Sequence, residues 1–323
     1  MSPAPPETVP VLVTGAGGYI GSLLMETMAA AARGLGAIVA LDFREIPPVQ
    51  RLPGVHYVTA DIRSPELGAI FMEYRPRVVV HLASIVTPGK KSDRAFEYAV
   101  DVEGTENVLK SCLEAGVEKI IVTSSGASYG YHPDNPERIS ETDPLRGNPE
   151  FAYSDHKRLV EEMLRRYREG YPELKQLILR PGTILGKTTS NQITALFEKP
   201  FILGVRGAAI PFVFIWDRDV VACIMKGIHE GVTGIYNLAG DGVLSMKEIA
   251  ALLGKPYLPL PVSLLHGVLW VLKRLHLTRY GPEQVNFLRY RPVLDNRRLK
   301  EAFGYTPQMT TRQVFDFYLR EKK

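Results

Sequence analysis

Val9-Pro-Val-Leu-Val-Thr-Gly-Ala-Gly-Gly-Tyr-Ile-Gly21 decides the fold. Val9 to Thr14 is a short apolar run with β-branched residues, Gly15, Gly18 and Gly21 follow at three-residue spacing, and Ser22 to Ala32 is patterned as a helix. Strand, glycine turn and helix in that order predict a phosphate-binding turn. The glycines let the backbone approach a pyrophosphate, and the new helix offers it unpaired N–H groups and a positive dipole end. The spacing is G-x-x-G-x-x-G and lacks the Lys-Ser/Thr ending of a nucleotide triphosphatase loop, so an ATPase is excluded.

A second strand, Ala37 to Leu41, ends at Asp42. A carboxylate roughly 20 residues past the last glycine is placed to hydrogen-bond the adenosine ribose hydroxyls, which predicts NAD over NADP. A 2′-phosphate there would meet a like charge, partly offset by Arg44.

Tyr153-Ser-Asp-His-Lys157 supplies the chemistry. Residues four apart lie on one helix face, so the phenol and the ammonium project into one site. A free tyrosine, with a pKa of about 10, is a poor base at neutral pH, and an adjacent cation favours its phenolate. Tyr153 is then equipped to exchange a proton with an alcohol oxygen.

With these residues in hand, the chain resembles the extended short-chain dehydrogenase/reductase superfamily, in its NAD-dependent epimerase/dehydratase branch with 3β-hydroxysteroid dehydrogenase-like features. Further matching segments are Asp61-Ile62, His81-Leu-Ala-Ser84, Gly104-Thr105-Glu-Asn107, Thr123-Ser-Ser-Gly-Ala-Ser-Tyr-Gly130, Arg180-Pro-Gly-Thr-Ile-Leu-Gly186, Phe214-Ile-Trp-Asp-Arg-Asp-Val220 and Ile235-Tyr-Asn-Leu-Ala-Gly240. The resemblance implies Ser125, Tyr153 and Lys157 as the catalytic set. Ser125 holds the substrate oxygen, and Lys157 tunes Tyr153 and binds the nicotinamide ribose. It implies a cofactor site of Gly15, Gly18, Tyr19, Ile20, Gly21, Asp42, Asp61, Ile62, Leu82, Ala83, Ser84, Tyr153, Lys157, Pro181 and Thr183. Substrate contacts are expected from Ser125, Thr183 and Arg206.

Departures from the family pattern narrow the chemistry. Gly126 and Ala127 stand where dehydratases and sugar decarboxylases place an acidic residue, which argues against dehydration. Thr183 replaces a common asparagine, Asp101 replaces another, and the stretch before Asp219, Gly204 to Val213, offers Arg206 in apolar surroundings. Nucleotide-sugar members usually present an arginine to the diphosphate in that stretch. The reading is therefore an NAD-dependent oxidoreductase of a secondary alcohol or ketone with an apolar substrate. The alternatives are a nucleotide-sugar 4-epimerase and, from another class, a non-catalytic NAD-binding sensor.

Alternating strands and helices over 9–180 predict an α/β doubly wound parallel sheet of Rossmann type. Residues 1–8 read as a flexible tail without signal-peptide character, and 181–323 as a smaller, interleaved substrate domain that returns a strand near 235–240 to the first. Leu258 to Leu277 is the most apolar stretch. Three readings compete for it, a core helix, a lid over an apolar substrate or a helix leaning on a membrane, and its uninterrupted part is too short to span one.

Hydrophobic content of 45% and charged content of 23% are those of a globular protein. A net charge of +4, densest at Lys90-Lys91 and Arg165-Arg166, does not indicate nucleic acid. Two cysteines, Cys112 and Cys223, read as reduced thiols of a cytoplasmic protein, and the seven histidines show no metal-ligand spacing. Apolar faces on Phe96 to Leu113 and on the Tyr153 helix, at Leu159, Val160, Met163, Leu164 and Tyr167, suggest a homodimer; the alternative is that they cover the sheet.

Overall fold

A computed structural model describes residues 8–31, 34–86, 93–275, 277, 281–282 and 284–322. The expected tail, apart from its last residue, and the Lys90-Lys91 pair lie outside them.

The chain begins β1 (Val9–Thr14), α1 (Tyr19–Ala31), β2 (Leu35–Asp42), β3 (Val55–Thr59), α2 (Leu67–Tyr74) and β4 (Val78–His81). It continues α3 (Arg94–Tyr98), α4 (Gly104–Glu114), β5 (Lys119–Thr123), α5 (Ala152–Gly170) and β6 (Lys175–Pro181). Then come β7 (Thr183–Leu185), α6 (Gln192–Phe197), β8 (Ile202–Val205), β9 (Pro211–Phe212), β10 (Phe214–Trp216), α7 (Asp217–His229) and β11 (Gly234–Leu238). It ends β12 (Leu244–Ser245), α8 (Met246–Leu252), β13 (Tyr257–Leu260), α9 (Val262–Arg274), α10 (Gln284–Arg289), α11 (Arg297–Glu301) and α12 (Thr311–Glu321).

Seven strands form one sheet in the order β11-β6-β5-β4-β1-β2-β3, and the pairings from β6 through β3 are parallel. Val11, Leu12 and Val13 of β1 and Val79 and Val80 of β4 are fully buried. That is why these strands read as unbroken apolar runs rather than alternating ones: helices cover both faces of a parallel sheet. Strand order reverses between β1 and β4, so a crevice opens beyond their carboxyl ends, where sheets of this kind bind ligands.

The described residues fall into two compact units. One comprises the described residues of 8–125, 156–180 and 217–236; the other comprises those of 126–155, 181–216 and 237–322. In the first, Val160, Met163 and Leu164 of α5 join Val108, Leu109 and Cys112 of α4 in the core beneath the sheet. Lys119 sends its ammonium to the carbonyls of Gly227 (2.8 Å) and Glu230, neutralising the carboxyl end of α7. The second unit has its own core, built on Phe197, Phe212, Phe214 and Phe315.

Leu258 to Leu277 resolves into the end of β13 and α9, with His276 outside the described residues. Val262, Leu265 and Leu269 pack against the second core, whereas no residue of α9 is fully buried. The core reading therefore holds for one face of this helix only.

Candidate active site

The glycine turn sits at the carboxyl end of β1. Gly15 has a φ of +71°, and a Cβ there would stand 2.7 Å from the Ala83 nitrogen, so only glycine lets the turn and the loop after β4 touch. A Cβ on Gly21 would meet the Ala16 carbonyl oxygen at 2.7 Å. Side chains are thus excluded from the turn at both positions, as close approach of a pyrophosphate requires.

Asp42 ends β2 as a buried carboxylate. Its Oδ2 accepts from the Gly17 N–H (2.9 Å) and its Oδ1 from the Arg44 N–H (3.0 Å), with Arg44 Nε 3.5 Å from Oδ1. A cavity of about 590 Å³ opens against Gly17, Asp42 and Arg44, lined also by Ile46, Val49 and Tyr57. Carboxylate oxygens hold several lone pairs, so Asp42 retains acceptor capacity for ribose hydroxyls. The cradle and this carboxylate fit a dinucleotide.

The neighbouring predicted positions are set by packing. Asn107 donates to the carbonyls of Ile62 and Ser64, both at 2.8 Å, and pins the loop carrying Asp61 and Ile62. Arg63 pairs with Asp61 at 2.7 Å, and its hydrogen bonds hold the Asp61 carboxyl below its ordinary pKa. Tyr19 directs its phenol to Asp217 Oδ2 (2.6 Å), and Ile20 is half-buried in α1.

His81 ends β4 in a buried relay. Thr105 donates to the Asp101 carbonyl (2.6 Å), which makes it the acceptor for His81 Nε2–H (2.9 Å), so His81 Nδ1 accepts from the Thr14 hydroxyl (2.7 Å). A neutral imidazole satisfies this chain. Consistently, burial, reinforced by the Lys157 charge and opposed by Asp101, drives the His81 pKa down to about 3. Leu82, Ala83 and Ser84 follow, half-buried. Asp101 Oδ1 accepts from Ser84 Oγ (2.9 Å) and the Ile85 N–H (2.8 Å).

Ser125 is buried on the turn after β5. Its neighbour Ser124 donates to Glu161 Oε1 (2.5 Å), and Glu161 also receives the Arg180 guanidinium through Nε at 2.8 and 3.0 Å. Lys157 is buried in α5 with Nζ donating to the Thr123 carbonyl (3.1 Å). Burial lowers its pKa, and the Asp101 and Glu161 charges oppose that shift. Tyr153 is four residues earlier on the same helix, half-buried.

In the second unit the Tyr153 ring lies 6.2 Å from Phe151, which is 4.9 Å from Phe287, while Tyr131 packs on Phe287 at 4.5 Å. Arg291 extends this wall: its guanidinium lies over Phe212 (4.2 Å) and Phe287 (5.2 Å). Its Nη2 donates to Thr183 Oγ1 (3.3 Å), its Nη1 is buried without a hydrogen-bond partner, and no carboxylate among the described residues neutralises it. An arginine keeps its charge even when burial lowers its pKa, as here. The tertiary structure thus adds a cation that sequence reasoning missed. Arg289-Tyr-Arg-Pro292 was its visible signal, though far from the stretch where an arginine was sought. Arg206, the cation expected there, is exposed after β8, with its backbone N–H bonded to the Leu260 carbonyl. Pro181 is buried at the end of β6.

A doubly wound sheet with a glycine turn, a buried aspartate at the end of β2 and a Tyr/Lys helix is the pattern of the extended short-chain dehydrogenase/reductase class. The family model "NAD dependent epimerase/dehydratase family" matches residues 11–239, and the chain belongs to that family, with NAD as its cofactor. It is 29% identical over 322 residues to a UDP-glucose 4-epimerase of Mycolicibacterium smegmatis, covering 92% of this chain and 93% of that one. It is 25% identical over 319 residues to an uncharacterized protein of Mycobacterium bovis, covering 96% and 83%. Among solved structures, UDP-glucose 4-epimerase of Thermus thermophilus in complex with NAD is 26% identical with a TM-score of 0.71, covering 96% and 99%.

Proposed function

We propose that the protein is an NAD-dependent 4-epimerase of a nucleotide-linked sugar. The observation that carries this reading is Arg291: a cation beside Thr183 without a carboxylate partner among the described residues, joined by an aromatic wall to the ring of Tyr153. A buried guanidinium without a counterion calls for an anionic ligand, and phosphate suits its fork. Similarity to UDP-glucose 4-epimerases supports the same choice.

Bound NAD supplies the hydride acceptor and donor, so that a carbinol carbon is oxidised and then reduced on its opposite face. The chain's own residues do the rest. Gly15, Gly18 and Gly21 bind the pyrophosphate and Asp42 the ribose. Tyr153 takes the hydroxyl proton and returns it; Lys157 follows it one helical turn on; Ser125 donates to the reacting oxygen; Thr183 and Arg291 hold the phosphate end. With Gly126 and Ala127 after Ser125, no acidic group follows that position to expel water.

The second reading, a dehydrogenase of an apolar secondary alcohol, draws on the wall of Tyr131, Phe151 and Phe287. A cytoplasmic location belongs to the proposal as well, supported by the free, buried thiols of Cys112 and Cys223, whereas Val108, Leu109, Val160, Met163 and Leu164 on the apolar faces that suggested a homodimer are buried in the core of the first unit.

The test is proton NMR of UDP-galactose with the purified enzyme and no added reductant. Inversion at C4 with catalytic NAD supports the epimerase. Failure to invert UDP-linked sugars, with stoichiometric NADH formed from an apolar alcohol, replaces it with the dehydrogenase.

A further inference from the structure

A surface helix normally turns a polar face to water. Helix α9 does not. Leu264, Val268, Val271 and Leu275 recur at i, i+4, i+7 and i+11 and are between 46% and 61% exposed, and Trp270 beside them is 58% exposed. The strand leading into the helix continues the pattern, because Leu203 and Leu258 are register partners in β8 and β13 and both are exposed. Val262 to Leu272 contains no charged residue.

Charge along the sequence of this segment has one sign. From Ile249 to Pro282 the sequence has no Asp or Glu and four cations, Lys255, Lys273, Arg274 and Arg279, a charge equal to the +4 of the whole chain. Lys273 and Arg274 are exposed in the last turn of α9, and the Arg274 guanidinium lies 5.9 Å from the centre of the Trp270 ring. An apolar stripe, an indole and a basic end suit a helix lying in the headgroup boundary of an anionic bilayer. Among the described residues no helix is long and apolar enough to cross a membrane, so contact would be peripheral.

We propose that the outward face of α9, with Leu203 and Leu258, docks on an anionic phospholipid surface. Aliphatic side chains enter the acyl boundary while Lys273 and Arg274 meet phosphate headgroups. A second copy of the chain is the rival occupant. It would cover the stripe without using the surplus of positive charge, because like surfaces repel.

Vesicle sedimentation at low ionic strength tests this on the full chain. The protein sediments with equal parts phosphatidylglycerol and phosphatidylcholine, stays in solution with phosphatidylcholine alone, and is released by salt. Emission shifts to the blue on binding, and Trp270→Phe removes the shift while leaving Trp216. The double variant Val268→Gln/Val271→Gln changes two exposed positions and weakens binding by roughly tenfold or more; Lys273→Glu/Arg274→Glu abolishes the preference for phosphatidylglycerol. The proposal is overturned by absence of sedimentation with either vesicle, by equal binding of the glutamine variant, or by a dimer in sedimentation equilibrium that this variant converts to monomer.

Discussion

His156 Nδ1 lies 3.3 Å from Asp101 Oδ2, both side chains buried, immediately beside Lys157 in sequence. The carboxylate that holds the loop at Ser84 and Ile85 therefore also anchors the helix carrying Tyr153 and Lys157. Asp101 is a positioning residue.

Replacing it separates its two duties. Asp101→Asn keeps an oxygen for Ser84 and Ile85 but removes a charge that raises the Lys157 pKa. Lys157, whose pKa burial lowers and Asp101 raises, then loses its proton at lower pH, so the alkaline limb of the activity profile is expected to move down with NAD affinity changed little. Asp101→Ala frees the loop as well. Hydrogen bonds to a charged group contribute about 1.5–3 kcal/mol, so the NAD Kd rises by roughly tenfold or more. pH–rate profiles and fluorescence titration separate the two variants.

His81 makes folding acid-sensitive. Its folded pKa of about 3 lies below the ordinary 6.5, so the unfolded chain binds the extra proton. The stability from this site is complete above pH 6.5 and is lost as pH falls towards 3. The loss reaches roughly 3 kcal/mol by pH 4, at about 1.4 kcal/mol per pH unit. Urea unfolding between pH 7 and 4 should show a steeper decline for the native chain than for His81→Asn.

Arg180→Met leaves Glu161 buried beside Ser124 without its guanidinium. Breaking one side of a buried pair costs about 3–5 kcal/mol. Denaturant midpoints should fall accordingly, and Arg180→Met/Glu161→Leu should recover part of the loss. Recovery that is absent would locate the cost in packing.

Arg291→Leu tests the anion site. A KM for a nucleotide sugar raised by roughly a hundredfold, with the NAD Kd unchanged, is expected when a charge-assisted phosphate contact is lost. An unchanged KM would detach Arg291 from the substrate.

Much of this molecule was legible in one dimension because its signals are local. A β-branched run before three spaced glycines specifies strand, turn and helix, and Asp42 follows at the distance that one helix and one strand impose. Tyr153 and Lys157 need only the helical period to share a face. The return of Gly234–Leu238 to the sheet was visible as a lone apolar strand after the order loosened.

Other relationships were decided by tertiary structure, since they join residues remote in sequence. Thr183 and Arg291 meet across more than a hundred residues, and that no described carboxylate pairs with the arginine is a property of its surroundings. His81 is held by hydroxyls on β1 and α4, remote from it in sequence. The apolarity of Leu258 to Leu277 was plain, but whether each leucine faces core or solvent depends on which side of α9 the second core occupies. Sequence determines which elements form and what chemistry they carry; packing decides which side chains lose their water, and hence which charges and apolar faces remain to meet a ligand.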